Sequence, residues 1–135
     1  MDRPYTTLMK RASTSAKVTV VLAIGDSLMR CRLRELMDED PRFDVIGESL
    51  DGNEAVALTK RLKPAMVVLD EELSELDGPE AARRILKDGP RTQLFYLGRG
   101  PDEGESSQPW APFRLMKDLL PDDAMELMKR QLKTA

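Results

Sequence analysis

Short apolar runs alternate with amphipathic segments along most of this chain. The runs are rich in β-branched and aromatic residues and predict strands at residues 18–24, 43–47, 66–70, 94–97 and 113–116. Apolar residues at helical spacing predict helices at residues 27–37, 55–62, 79–88 and 121–133. Strands that alternate with helices indicate βαβ units. The right-handed crossover rule then limits the fold to an open, doubly wound parallel sheet of the α/β class.

The length of 135 residues allows one domain. The first residues are polar and carry Arg3, Lys10 and Arg11 without an apolar stretch among them. We therefore expect residues 1–17 to form a flexible N-terminal arm. The domain itself is predicted to span residues 18–135.

Composition excludes several kinds of site. The chain has no histidine, which excludes Ser-His-Asp and Cys-His catalysis and zinc sites of the HExxH type. Its one cysteine, Cys31, excludes a disulfide framework within the chain. The net charge of −3 gives no general attraction to nucleic acid or anionic lipid, so we expect neither as a partner. No apolar run approaches the roughly 18 residues of a membrane span.

Four residues with distinctive chemistry lie at the ends of predicted strands: Asp26, Asp70, Gly98 and Lys117. Parallel strands bring such residues to one edge of the sheet, where doubly wound folds bind ligands. Two carboxylates at close range stay ionised only with a cation between them, which Lys117 and Mg²⁺ could supply. That arrangement suits phosphoryl transfer to a carboxylate oxygen. Alternatively, Asp26 and Asp70 serve only as a helix cap and a loop carboxylate.

Three stretches of the sequence carry a family resemblance: FDVIGESLDGNEA at 43–55, KPAMVVLD at 63–70 and LDG at 76–78. They resemble the receiver domains of response regulators in two-component signalling. The resemblance covers about residues 18–132. It implies a flavodoxin-like, receiver-type sheet of five parallel strands in the order 2-1-3-4-5.

The resemblance also implies a role for each residue at the strand ends. Asp70 matches the aspartate that accepts a phosphoryl group. Asp26 and the backbone carbonyl of Glu72 match positions that bind Mg²⁺ together with Asp70. Lys117 matches the lysine that contacts the phosphoryl group.

The sequence departs from the receiver pattern at several positions. Receivers carry two adjacent acids after the first strand, whereas this chain has Gly25-Asp26. Gly98 replaces a hydroxyl residue, Arg114 replaces the aromatic switch residue and Ser74 replaces a proline. The glycines and prolines of residues 98–112 disfavour a helix, so the fourth helix is expected to be degenerate or missing. With one acid fewer, Mg²⁺ should bind weakly.

Two functions follow from the resemblance and its departures. The first is a single-domain response regulator in a phosphorelay, in which Asp70 accepts the phosphoryl group of a histidine kinase or phosphotransfer protein. The alternative is a phosphorylation-independent pseudo-receiver that acts as a protein–protein interaction module. Both imply a cytoplasmic signalling protein with an unidentified downstream partner, and neither implies an enzyme beyond self-phosphorylation. A flavin- or nucleotide-binding enzyme is disfavoured because no Gly-rich phosphate loop follows a strand.

Overall fold

The computed structural model describes residues 17–98, 113–116 and 119–134. Its elements in chain order are β1 (Val18–Ala23), α1 (Ser27–Asp38), β2 (Phe43–Ser49), α2 (Gly52–Leu62), β3 (Met66–Asp70), α3 (Gly78–Asp88), β4 (Gln93–Gly98), β5 (Phe113–Met116) and α4 (Pro121–Thr134). The predicted strands and helices are confirmed to within a few residues at each end. The predicted arm lies outside the described residues except for Lys17, so the division into arm and domain stays a prediction.

The strands form one sheet in the order β2-β1-β3-β4-β5, with every neighbouring pair parallel. The doubly wound parallel sheet is therefore confirmed, and its order is the one that the resemblance implies. Strand β1 lies inside the sheet, between β2 and β3. The expected degenerate or missing helix between β4 and β5 falls at residues 99–112, which lie outside the described part of the chain.

The core lies on both faces of the sheet, which explains why β1 and β3 are continuous apolar runs. On one face Val20, Leu22 and Val68 pack with residues of α1 and α4. On the other face Val21 and Leu69 pack with residues of α2 and α3. Fully burying one such aliphatic side chain contributes roughly 1.5–3 kcal/mol to folding. Because all neighbouring strands are parallel, their carboxyl ends lie at one edge of the sheet.

Aspartates cap three of the helices at the edge where the strands end. The side chain of Asp26 accepts hydrogen bonds from the amides of Leu28 and Met29, at 3.0 and 3.2 Å, and so caps α1, which is one of the roles that the sequence leaves open for it. Asp51 and Asp77 cap α2 and α3 in the same way. Such caps satisfy amides that the first helical turn leaves unpaired. None of the described helices is long and apolar enough to cross a bilayer.

Candidate functional site

Asp70 is the last residue of β3 and its side chain is fully buried, with 0% of its surface exposed. Its Oδ2 accepts a hydrogen bond from the Gly25 amide at 3.0 Å, and its Oδ1 accepts one from the Glu72 amide at 3.1 Å. Hydrogen bonds to an ionised carboxylate are stronger than neutral ones. Two backbone amides thus stabilise this buried carboxylate, in a place where the sequence predicted Mg²⁺.

Gly25 allows that contact because its backbone lies against the loop after β3. A Cβ atom at position 25 would lie 2.7 Å from the Glu72 carbonyl oxygen and 3.6 Å from Asp70 Oδ2. The first distance is shorter than real Cβ contacts, and the neighbour is backbone rather than a flexible side chain. An acid at position 25 would therefore require the loop after β3 to move. Glycine permits this close approach.

The other predicted site residues are distributed unevenly around Asp70. Glu72 lies beside it, and its carbonyl oxygen faces the Cα of Gly25. Asp26 follows Gly25 in the chain, but its Oδ1 already accepts the amide hydrogen bonds that cap α1.

The remaining predicted site residues belong to β4, β5 and the segment after β5. Gly98 ends β4 opposite Met116 of β5 and has no hydroxyl group. Lys117 lies outside the described residues, so its predicted contact is untested. Arg114 lies in β5 opposite Tyr96.

The described residues supply fewer carboxylate ligands than the magnesium site of a receiver with two adjacent acids. Mg²⁺ prefers one or two carboxylates and carbonyl oxygens arranged around it with several waters. Here each oxygen of the Asp70 carboxylate accepts an amide hydrogen bond, which leaves one further lone pair on each, and position 25 has no carboxylate. No group of three or more His, Cys, Asp or Glu side chains converges as a metal site within the described part of the chain.

The loop after β3 is tied to the loop before α2 by a short parallel bridge between Asp51 and Ser74. The Ser74 amide donates to the Leu50 carbonyl at 3.3 Å, and the Ser74 hydroxyl donates to the same oxygen at 3.2 Å. In return, the Gly52 amide donates to the Ser74 carbonyl at 2.9 Å. A proline at position 74 has no amide hydrogen and could not make the first of these bonds. Ser74 therefore helps to hold the segment that contains Glu72.

Sequence reasoning missed three contributors to this site. The amide of Gly25, the bridge at Ser74 and the close packing of Gly52 were not predicted. A Cβ at Gly52 would overlap the Leu76 carbonyl oxygen, so this glycine allows the two loops to approach closely. The available signals were the glycine in place of an acid and the serine in place of a proline. Both were interpreted as losses, although each supplies a backbone donor.

Comparison with solved structures decides the fold family. The response regulator domain of Thermotoga maritima CheB superposes with a TM-score of 0.72 and is 27% identical, over 84% of this chain and 92% of that one. The chain has the fold of a response regulator receiver domain. A second receiver, from the sensor histidine kinase PA1611 of Pseudomonas aeruginosa PAO1, is 21% identical with a TM-score of 0.68, over 85% of this chain and 97% of that one. Its structure is described with a magnesium ion coordinated in the active site cleft.

Curated relatives match somewhat more than half of this chain in sequence. Protein-glutamate methylesterase/protein-glutamine glutaminase 2 of Photobacterium profundum is 38% identical over 79 residues, which are 58% of this chain. That stretch is 20% of the relative, so the chain spans about a fifth of the length of the curated relatives it matches. No family model matches the chain.

Proposed function

We propose that this chain is a receiver-type signalling module that binds protein partners without phosphorylation of Asp70. The proposal rests on the burial and the hydrogen bonding of the Asp70 carboxylate. It is fully buried, and backbone amides donate to both of its oxygens. Of the two functions that the sequence leaves open, the pseudo-receiver fits this arrangement better.

The arrangement opposes phosphoryl transfer for three physical reasons. A carboxylate oxygen must approach phosphorus in line with the leaving group, whereas Asp70 has no exposed surface. Hydrogen bonds to the ionised oxygens stabilise the starting carboxylate, which lowers its reactivity as a nucleophile. Receivers use a second acid and a hydroxyl residue around the phosphoryl group, whereas this chain has Gly25 in place of the acid and Gly98 in place of the hydroxyl residue.

The partner surface in this proposal is the face formed by the start of α1 and the start of α4. Leu28 at the beginning of α1 is 83% exposed, and Leu120 just before α4 is 66% exposed. Arg32 Nε in the middle of α1 and Asp122 Oδ1 in the first turn of α4 are 3.5 Å apart, so the two helices are neighbours about one turn beyond Leu28. In this proposal the two exposed leucines supply the apolar part of the contact, and the charged residues near them form its polar rim. The partner class implied by the resemblance is a histidine kinase or phosphotransfer protein.

The proposal is tested by offering Asp70 a small phosphodonor with Mg²⁺ and measuring intact mass. The wild-type chain and Asp70→Asn are incubated in parallel, and a receiver with both adjacent acids serves as the positive control. We expect the control to gain a phosphoryl group and this chain to gain none. Phosphoryl mass on the wild type that is absent from Asp70→Asn would refute the proposal.

A second candidate is phosphoryl acceptance by Asp70, and the position of this aspartate favours it. Asp70 ends β3 at the edge where receiver sites form, with the Glu72 amide beside it. In this function the phosphoryl group passes from a histidine nitrogen of the partner to an oxygen of Asp70. The loop after β3 must first open, because Asp70 is buried. Roles for Lys117, and for Mg²⁺ as in the PA1611 receiver, belong to this candidate alone.

Neither candidate includes a catalytic activity on another molecule. The methylesterase and glutaminase names belong to relatives of which this chain matches about a fifth. Nucleic acid is not among the proposed partners, because a net charge of −3 does not favour it. Both candidates place the protein in the cytoplasm beside its signalling partners.

A further inference from the structure

A groove lies at the edge of the sheet opposite Asp70, between the ends of α2 and α3 and the starts of β3 and β4. Its volume is about 780 Å³. Ligand pockets in proteins typically measure about 300–1,000 Å³. Two hydrogen bonds join the turns that form it, from the Thr92 hydroxyl to the Pro64 carbonyl at 3.3 Å and from the Gln93 amide to the Ala65 carbonyl at 2.9 Å. The groove is therefore built on a fixed backbone.

The groove carries an excess of positive charge above an apolar floor. Lys60, Lys63 and Arg91 line it, with Asp88 as the only acid among its lining residues. All three cations are exposed, and none forms an ion pair with another described residue. Ile85 is fully buried beneath them. Such a groove favours a ligand that joins an anionic group to an apolar body.

Lys63 has a backbone conformation that points to a role for its side chain. It follows α2 in the left-handed region, with φ 49° and ψ 58°, where glycine is the usual residue. Lysine there is disfavoured because its Cβ crowds the following carbonyl. Offsetting the partial negative charge of the helix end does not require lysine at this position, because Lys60 and Arg61 already lie in the last turn. Strained residues of this kind concentrate at functional sites.

We propose that this groove binds a phosphate monoester with an apolar substituent. The three cations outnumber the single carboxylate by two, and a phosphate monoester carries about −1.5 to −2 charges at pH 7. Lysines hold phosphate as point charges, and the guanidinium of Arg91 can donate two parallel hydrogen bonds to it. Ala65 and Pro90 line the groove and are exposed, so they offer the surface for the apolar substituent. This inference does not depend on the state of Asp70.

The test is a titration of the ¹⁵N-labelled full chain with phenyl phosphate, followed by amide chemical shifts. We expect saturable shifts confined to residues 59–65 and 88–92, and weaker binding as NaCl is added. Benzyl alcohol, which lacks the charge, should produce no such shifts. Absence of saturable shifts at millimolar phenyl phosphate would overturn the proposal.

Lys63→Gly separates binding from a structural role, because glycine suits the left-handed backbone and the variant should fold. Loss of one charged contact should weaken binding about tenfold. Lys87→Ala removes a charge from the last turn of α3 outside the groove and should bind like wild type. Equal binding by Lys63→Gly and wild type would contradict the inference. Asp70→Asn should also bind unchanged, so the phosphodonor experiment and this one fail independently.

Discussion

Replacing Asp70 by asparagine tests how the buried carboxylate is held. The carboxylate accepts two amide hydrogen bonds, from Gly25 and Glu72. Asparagine can accept only one of them and directs its own NH₂ group at the other donor. The variant loses one hydrogen bond to a charged group, worth about 1.5–3 kcal/mol, and leaves a buried amide unpaired, at about 1–3 kcal/mol. Relief from burying a charge offsets part of this loss. We expect a net destabilisation of about 2 kcal/mol.

The assay is urea unfolding at pH 7, followed by circular dichroism. With a urea dependence of about 2 kcal/mol per molar, the midpoint of Asp70→Asn should fall by about 1 M. Asp26→Asn is the matched control, because asparagine caps a helix about as well as aspartate, and its midpoint should barely change. A pocket dominated by repulsion between carboxylates behaves in the opposite way, since removal of a charge stabilises it. An Asp70→Asn midpoint equal to or above wild type would refute the amide account.

Three further predictions concern other parts of the fold. Ser74→Pro should lower the free energy of unfolding by about 1–2 kcal/mol in urea, because it removes the amide donor that joins the two loops. Ser74→Ala keeps that donor and should lower the free energy less. Equal losses for the two variants would contradict this role. Gly52→Ala should lower the free energy of unfolding by about 3 kcal/mol or more in the same assay, because the new Cβ would overlap the Leu76 carbonyl. A change below about 1 kcal/mol would contradict the close packing of the two loops. Hydrogen bonds from Arg42 hold the pKa of Asp40 below its usual value of about 3.9. The ionised carboxylate therefore stabilises the fold fully when the pH is above that usual pKa. The stabilisation is lost as the pH falls through the lowered pKa. Thermal melts between pH 5 and 2.5 should therefore show a shallower loss of stability for Asp40→Asn than for wild type, and parallel curves would count against the pairing.

The fold could be predicted from the sequence because its signals are local and periodic. The run at β1 is apolar at nearly every position, since its residues face one of two buried layers. Asp26 precedes a helical pattern, so its capping role follows from position alone. Asp70 is expected at the edge of the sheet because it is the last residue of the β3 run.

The chemistry of the site was less predictable, because it depends on backbone donors from distant segments. Gly25 and Asp70 are 45 residues apart in sequence, yet the amide of one meets the carboxylate of the other. No side-chain pattern records the direction of an amide, so Gly25 was interpreted only as a missing acid. Ser74 was likewise interpreted as a missing proline, although its amide and hydroxyl both donate to Leu50.

The central claim is that backbone amides, rather than Mg²⁺, hold the Asp70 carboxylate. The most direct measurement is an amide spectrum of the ¹⁵N-labelled chain during titration with Mg²⁺, with the signals of Gly25 and Glu72 as reporters. If the two amides hold the carboxylate, both signals should exchange slowly with solvent and stay in place at millimolar Mg²⁺. A saturable shift of these two signals, together with faster exchange of the Gly25 amide, would show that the ion displaces the amide from Asp70 and would contradict the account.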